Sequence, residues 1–220
     1  YLTHFLGVER TLGNAYFAIT AISLFWGLYA GTLIDRFNRR NIFIGLSAVG
    51  AVVALALGFW GKSLGYVPMW GAILSFGATI FIYNLHYPNL YAFAQEITDK
   101  KDYGKITSYL EIQGQVTSAL AGAGAAILMA GTENGVLTLF GAEINVGFSV
   151  KAWALYDIFI LDGCTYLLAI VLLVFIRFKR VAERNIDSGN IIERLSTGIE
   201  FLKANPLIFI FGNASFSIFV

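Results

Sequence analysis

Three carboxylic acids lie within long stretches of the sequence that otherwise carry no charge. Glu111 is the one charged residue between positions 106 and 129, and Asp157 and Asp162 are the two between positions 152 and 176. Asp162 lies ten residues into its stretch, which in a helix is about 15 Å deep and therefore central in a ~30 Å bilayer core. Because charged groups at such depth are costly and usually functional, we predict proton or substrate coupling for Asp162. The same role is a candidate for Glu111 and Asp157, each about 7.5 Å deep, where a structural acid is the first interpretation.

Polar side chains also recur at helical spacing on two of these stretches. Glu111, Gln115 and Ser118 are four and three residues apart, and so share one helical face. A second stripe contains Ser75, Thr79, Tyr83 and then either His86 or Tyr87. Both stripes are typical of helices that line a central passage. The candidate cavity-lining residues are Gln115, Ser118, Thr79, Tyr83, His86 and Trp26.

Two of these residues have competing structural interpretations. His86 precedes Pro88, which frees a backbone carbonyl that a side chain could satisfy, so a structural role competes with a proton relay. Trp26 lies deeper than the other tryptophans, which fall near the ends of their stretches as interfacial anchors do. Small residues at Gly114, Ser118, Gly122 and Ala126 predict a close helix-packing seam.

The elements that position these residues are predicted to be membrane-spanning helices. The chain is 57% hydrophobic and 13% charged, whereas soluble domains carry about 25% charged residues. Stretches long enough to cross a bilayer cover residues 12–34, 42–60, 66–94, 106–129 and 152–176, and a sixth starts at 206. We therefore predict an all-α, polytopic transmembrane helix bundle, and exclude a water-soluble enzyme, a nucleic-acid-binding module and a disordered chain. With Cys164 as the one cysteine, a disulfide scaffold and a metal cluster are excluded as well.

The distribution of cations predicts the orientation of the bundle. Twelve of the fifteen Lys and Arg residues fall in the segments 35–41, 95–105 and 177–205, and the alternate loops hold three. The first group is therefore cytoplasmic. This orientation puts residue 1 outside the cell, so we expect a preceding span and a fragment that lacks both ends. The predicted organisation is a bundle over 1–176, a cytoplasmic linker with an amphipathic helix over 177–205, and the start of a second bundle over 206–220. For residues 130–151 a short hairpin and an interfacial helix both remain open.

The loop after the first predicted span reads Gly31-Thr-Leu-Ile-Asp35-Arg36-Phe-Asn-Arg39-Arg40. It resembles the signature that the major facilitator superfamily carries between its second and third helices. The resemblance implies that Gly31, Asp35, Arg36, Arg39 and Arg40 latch two transporter halves on the cytoplasmic face; positive-inside anchoring is the alternative for the arginines. Asn38 replaces a glycine of the pattern, and asparagine tolerates the left-handed conformation well.

Residues 96–105 and 191–206 are similar to linkers of the drug and macrolide efflux branch of that superfamily. The resemblance implies helices two to seven of a twelve-helix protein. The antiporter signature of the fifth helix contains a Gly-Pro pair, but this chain has Ala121-Gly122-Ala123-Gly124 there. Proton-coupled exchange is therefore a weaker expectation than transport.

These observations predict a secondary active transporter that moves a small molecule by alternating access, with proton-coupled efflux of drugs or other small hydrophobic compounds as the first expectation. The alternatives are an uptake symporter for a sugar, peptide or nucleoside, and a non-transporting scaffold or assembly factor. Enzymatic activity is not expected, because Asp157 and Asp162 lie about 140° apart around a helix and no catalytic motif is present. We expect a monomer in the plasma membrane, a bacterial inner membrane, with lipid, substrate and protons as partners and without metal or cofactor.

Overall fold

A computed structural model describes residues 9–132, 135–139, 142–145, 147–177, 191–208 and 210–211. The described chain is predominantly helical, and each predicted span up to residue 176 forms one helix. The helices are α1 (Glu9–Arg36), α2 (Arg39–Leu64), α3 (Met69–Glu96), α4 (Tyr103–Ala130) and α5 (Leu155–Phe175), with a short 3₁₀ turn at Lys100–Asp102 before α4. These helices belong to a compact unit of residues 1–184.

A second compact unit comprises residues 185–220. Its described part contains α6 (Ile191–Ala204), which coincides with the predicted amphipathic helix. Residues 206–208 and 210–211 are also helical, whereas the rest of the predicted sixth span lies outside the described residues.

Three helices of the first unit are long and apolar enough to cross a membrane: α2, α4 together with its preceding turn, and α5. A fourth candidate is α1, if its parts Thr11–Gly27 and Tyr29–Arg36, bent by 43° from one another, form a single span. The predicted span at 66–94 forms α3, a helix of 28 residues. It is not among the candidates, because polar residues such as Asn84 and His86 lower its mean hydropathy.

The closest helix packing joins α2 and α5. Three glycines of α2 each face one side chain of α5: Gly50 meets Tyr166, Gly58 meets Ile160 and Gly61 meets Tyr156. A Cβ atom added at Gly58 would lie 2.6 Å from Cγ1 of Ile160 and 3.0 Å from the backbone nitrogen of that residue. From the other side, a Cβ at Gly163 would lie 2.5 Å from Cγ of Leu55. The two helices therefore approach at a distance that only glycine permits at these positions.

A second area of packing joins α1, α2 and α3. Its buried core consists of Ala30, Ile34, Ile42 and Leu85. Further along the α1–α3 contact, the rings of Tyr16 and Phe76 stack at 5.2 Å between centroids. The indole nitrogen of Trp26 donates a hydrogen bond of 3.0 Å to the carbonyl of Phe81. Polar and apolar contacts thus hold α1 against α3.

In contrast, α4 has no buried residue. The predicted packing seam on this helix meets no partner within the described chain, because a Cβ at Gly114 or Gly122 would have no atom within 4 Å. Close packing through glycine is found instead between α2 and α5. Along this seam Ser118 and Gly122 are exposed, and Gly114 and Ala126 are partly exposed.

The segment between α4 and α5 forms a short hairpin in a chain whose described part is otherwise helical. Strands β1 (Val136–Leu139) and β2 (Ala142–Asn145) pair antiparallel, with Val136 opposite Asn145. Beyond the strands, Thr132 pairs with Val150, and its hydroxyl accepts from the Val150 amide and donates to the Phe148 carbonyl, both at 2.7 Å. Of the two structures left open by the sequence, the hairpin is the one that forms.

The glycine contact between α2 and α5 gives a prediction for stability. We expect Gly58→Ala to destabilise the protein by about 1–3 kcal/mol, because the added methyl group overpacks the contact with Ile160. Gly45→Ala is the matched control on the same helix, since nothing lies within 4 Å of its Cβ position. Thermal unfolding of the purified protein in detergent would measure both. Equal melting temperatures for the two variants would contradict this account of the contact.

Candidate functional site

The residues predicted to latch the transporter halves, here called the gating loop, lie at the end of α1 and the start of α2: Gly31, Asp35, Arg36, Arg39 and Arg40. Asn38 caps α2, because its side-chain oxygen accepts a hydrogen bond of 3.0 Å from the Arg40 amide. Its φ of −63° and ψ of 122° are those of extended backbone. The tolerance of asparagine for the left-handed conformation is therefore not used at this position, where Asn38 caps the helix instead.

Arg39 connects the start of α2 with the end of α3. Its guanidinium donates to the carbonyl of Ala92 and lies 3.1 Å from the carboxylate of Glu96, which is 4% exposed. In return, the amide of the fully buried Asn89 donates a hydrogen bond of 2.9 Å to the carbonyl of Arg39. We call Arg39, Asn89, Ala92 and Glu96 the Arg39 cluster. It fixes two helix ends with a buried ion pair and reciprocal hydrogen bonds.

Arg40 connects the same end of α2 with α5. Its Nε donates a hydrogen bond of 2.8 Å to the carbonyl of Leu173, and its Nη2 donates to the carbonyl of Val174. Both carbonyls belong to the last turn of α5, where carbonyl groups lack partners within the helix and the helix dipole favours a cation. Two consecutive arginines therefore hold α2 to two different helices.

The other three gating-loop residues lie at the end of α1. Asp35 is half-buried and takes part in an interaction with its surroundings. Arg36 and Gly31 are exposed, and a Cβ at Gly31 would meet nothing within 4 Å. The structure therefore brings Arg39 and Arg40 into the unit and leaves Arg36 and Gly31 on its surface.

A line of polar groups runs along α3 and α4. Tyr83, Tyr87 and Tyr91 follow one another at four-residue spacing on α3, and the rings of the first two lie 4.3 Å apart. The hydroxyl of Tyr91 donates to the carboxylate of Glu111 on α4. By their spacing from Glu111, Gln115 and Ser118 continue this line on α4. We call Tyr83, Tyr87, Tyr91, Glu111, Gln115 and Ser118 the polar stripe.

Much of the polar stripe is exposed in this unit. Tyr83 is 56% exposed, and Glu111, Gln115 and Ser118 are exposed as well. The sequence pattern indicated Tyr83 and the residues of α4 separately but did not indicate the bond between Tyr91 and Glu111. The repeated tyrosines were the available signal, because side chains four residues apart share a helical face.

The remaining predicted cavity-lining residues have contacts within the protein. The ring of His86 packs edge-on against Phe43 of α2, with 5.2 Å between centroids. Trp26 bonds to the Phe81 carbonyl and packs against the buried core, as described above. Thr79 is exposed, and its hydroxyl donates to the carbonyl of Ser75 one turn earlier. His86 and Trp26 therefore lie between helices, and the His86 ring also meets Tyr87 of the polar stripe edge-on, with 5.7 Å between centroids.

The three acids predicted to couple protons or substrate lie in different surroundings. Glu111 belongs to the polar stripe. Asp162 is exposed on α5, directly before the glycine that packs on α2, and its backbone carbonyl accepts a hydrogen bond of 2.7 Å from Thr165. Asp157 lines a cavity at the opposite end of α5 from the Arg40 contact. The acids therefore do not form one cluster.

No family model, curated protein or solved structure matches this chain. Within the described ranges, no group of three His, Cys, Asp or Glu side chains is placed to hold a metal ion. The Arg39 cluster and the polar stripe are thus the candidate functional features, and both connect helices whose ends lie on the predicted cytoplasmic side.

The buried ion pair of the Arg39 cluster gives a second prediction. We expect Glu96→Gln to lower the free energy of unfolding by about 3 kcal/mol, because it leaves the Arg39 guanidinium without its countercharge. Thermal and denaturant unfolding would measure the loss, with Arg36→Gln as the control because Arg36 is exposed. In a double-mutant cycle, Arg39→Gln and Glu96→Gln should show strongly non-additive effects. Additive effects would mean that the ion pair does not stabilise the fold.

Proposed function

We propose that this chain is part of a multi-pass membrane protein that transports a small molecule by alternating access, in the manner of the major facilitator superfamily. Proton-coupled efflux of hydrophobic compounds is the form of transport that we propose first. The observation that carries this proposal is the exposed polar stripe on α3 and α4. The resemblance of residues 31–40 to the superfamily's cytoplasmic loop supports it.

The polar stripe requires surroundings other than lipid. The helix α4 is long and apolar enough to cross a bilayer, yet the face that carries Glu111, Gln115 and Ser118 is exposed in this unit. Polar and charged groups that face hydrocarbon are costly, so such a face lies against protein or a water-filled cavity. A passage for substrate, lined by this stripe, satisfies that requirement.

The Arg39 cluster supports the mechanical part of the proposal. Alternating access is largely a rigid-body movement of one bundle against another around a fixed site. Arg39 joins α2 to α3, and Arg40 joins α2 to α5, so the ends of three helices move together. Arg36, exposed beside them, is available to contact the second bundle, and we propose that Asp35 takes part in the same latch.

Two acids are proposed to serve coupling. The hydroxyl of Tyr91 donates a hydrogen bond to the Glu111 carboxylate. When Glu111 is protonated, the same hydroxyl can accept a hydrogen bond from the carboxyl group. Asp162 is exposed near the middle of α5, where an acid that faced only lipid would be unstable as an anion. We propose that Asp162 exchanges protons through the passage and that Glu111 contacts the substrate. Neither step requires a metal or an organic cofactor.

The transport proposal predicts changes in the accumulation of substrates. Efflux-deficient cells that express the complete protein should accumulate less of at least one compound in a panel of dyes and antibiotics, and a protonophore should abolish the difference. Glu111→Gln and Asp162→Asn should each lower the efflux rate by about tenfold or more, because each removes a charge that functions in transport. Tyr66→Phe is the control, since Tyr66 is an exposed tyrosine outside the stripe.

Other outcomes would distinguish the alternatives. Loss of uptake of a sugar, peptide or nucleoside on deletion, without any change in drug accumulation, would favour an uptake symporter. A correctly inserted protein that changes the accumulation of no compound would contradict transport and favour a scaffold.

A separate prediction concerns the gating loop. We expect Asp35→Asn to slow transport by about tenfold while leaving the amount of protein in the membrane unchanged, because the loss of a latch shifts the populations of the two transport states. Transport by inverted vesicles, normalised to the amount of protein, would measure this effect. Normal transport by Asp35→Asn would contradict the assignment of the latch.

A further inference from the structure

A cavity of about 600 Å³ lies at the end of the first unit opposite to the Arg40 contact. It is open on one side and is lined by Lys62 in the last turn of α2, the segment 151–154 and the first half of α5. Its volume falls within the range of about 300–1,000 Å³ that small-molecule sites occupy. Neither the polar stripe nor the Arg39 cluster lines this cavity.

The polar groups of the cavity are confined to one end. Lys62 and Lys151 lie at this end together with Trp153 and Asp157, whereas the deeper lining on α5 is formed by Ile160, Leu161 and Cys164. Trp153 is 39% exposed and lies just before α5, where tryptophan anchors a helix at the membrane interface. The cavity therefore has a charged mouth and a predominantly apolar interior.

The length of the cavity corresponds to one leaflet of a bilayer. Its lining on α5 extends from Tyr156 to Cys164, and eight residues of helix measure about 12 Å. The hydrocarbon core of a bilayer is ~30 Å thick, so this lining covers most of the depth of one leaflet. A chain that fills it has the length of the acyl chain of one lipid.

The charges at the mouth define the head group. Lys62 and Lys151 together favour a phosphodiester, whose oxygens accept charge-assisted hydrogen bonds from ammonium groups. Asp157 would repel a ligand that carries only negative charge. A head group that combines a phosphate with a protonated amine complements both the two lysines and Asp157, since the amine donates hydrogen bonds to the Asp157 carboxylate.

We propose that this cavity binds one aminophospholipid from the leaflet at this end of α5, the outer leaflet in the predicted orientation. Its phosphate lies between Lys62 and Lys151, its amine contacts Asp157, and one acyl chain lies along Ile160 and Leu161. The site depends on insertion into a membrane and is independent of transport. A lipid in this position lies beside Lys62 of α2 and along the first half of α5.

Native mass spectrometry of the complete protein, released from detergent with one lipid at a time, would test this site. The probes are phosphatidylethanolamine, phosphatidylglycerol and phosphatidylcholine with identical acyl chains, and the water-soluble glycerophosphoethanolamine. We expect phosphatidylethanolamine to bind about tenfold more tightly than phosphatidylcholine, whose methylated amine donates no hydrogen bond, a difference of about 1.4 kcal/mol. The soluble head group should bind weakly, because it lacks the acyl chain.

Two variants separate the contributions of the charges, and a third is the control. Lys62→Gln combined with Lys151→Gln should weaken phosphatidylethanolamine and phosphatidylglycerol by about tenfold or more. Asp157→Asn should weaken phosphatidylethanolamine alone, and its retained binding of phosphatidylglycerol shows that the variant is folded. Lys101→Gln is the control, because this lysine is exposed after α3, near the opposite end of the unit.

Quenching of tryptophan fluorescence by brominated lipids provides a second measurement. Brominated phosphatidylethanolamine should quench the wild-type protein more than brominated phosphatidylcholine, and the difference should disappear in Trp153→Phe. Unchanged lipid affinities in the double lysine variant would overturn the proposal. Binding of glycerophosphoethanolamine as tight as that of the intact lipid would also overturn it, and would indicate a site for a soluble phosphate compound.

Discussion

The close approach of α2 to α5 is the constraint on which the first unit depends. Helices in a bilayer gain little from hydrophobic association, so they are held by close packing and by polar bonds. Gly58 on α2 and Gly163 on α5 allow this packing along the middle of the pair. At one end the contact brings Arg40 within reach of the last carbonyls of α5, and at the other it places Lys62 beside the cavity that α5 lines. Both features follow from the same helix pair.

Much of the architecture could be predicted from the sequence, because stretches without charge and the loops that interrupt them have clear signals. The helix bounds follow these stretches closely, and the loop pattern singled out Arg39 and Arg40, which the structure shows in contact with two other helices. The ion pair between Arg39 and Glu96 could not be predicted, since the residues are far apart in sequence and belong to different helices. The sequence indicated which residues are polar at a helix end and did not indicate which of them meet.

Periodicity was informative about helical faces and uninformative about what covers them. The regular spacing of Gly114, Ser118, Gly122 and Ala126 predicted the packing seam on α4, but the tight glycine contacts lie on α2 and α5, where their spacing is irregular. Similarly, His86 is three residues from Tyr83, yet its ring packs against Phe43 between helices. Which face becomes an interface depends on the neighbouring helix, and this information is not local.

The absence of buried residues in α4 has a consequence for membrane biogenesis. A helix of this length and hydropathy can enter the bilayer as a separate span before it packs against others. In this unit α4 is attached near its start through Glu111 and Tyr91, and at its end through the Trp153 amide, which donates to the carbonyl of Leu128. The insertion of α4 into the bilayer and its packing against other helices are therefore separable steps. The packing step requires a partner for the exposed face of α4.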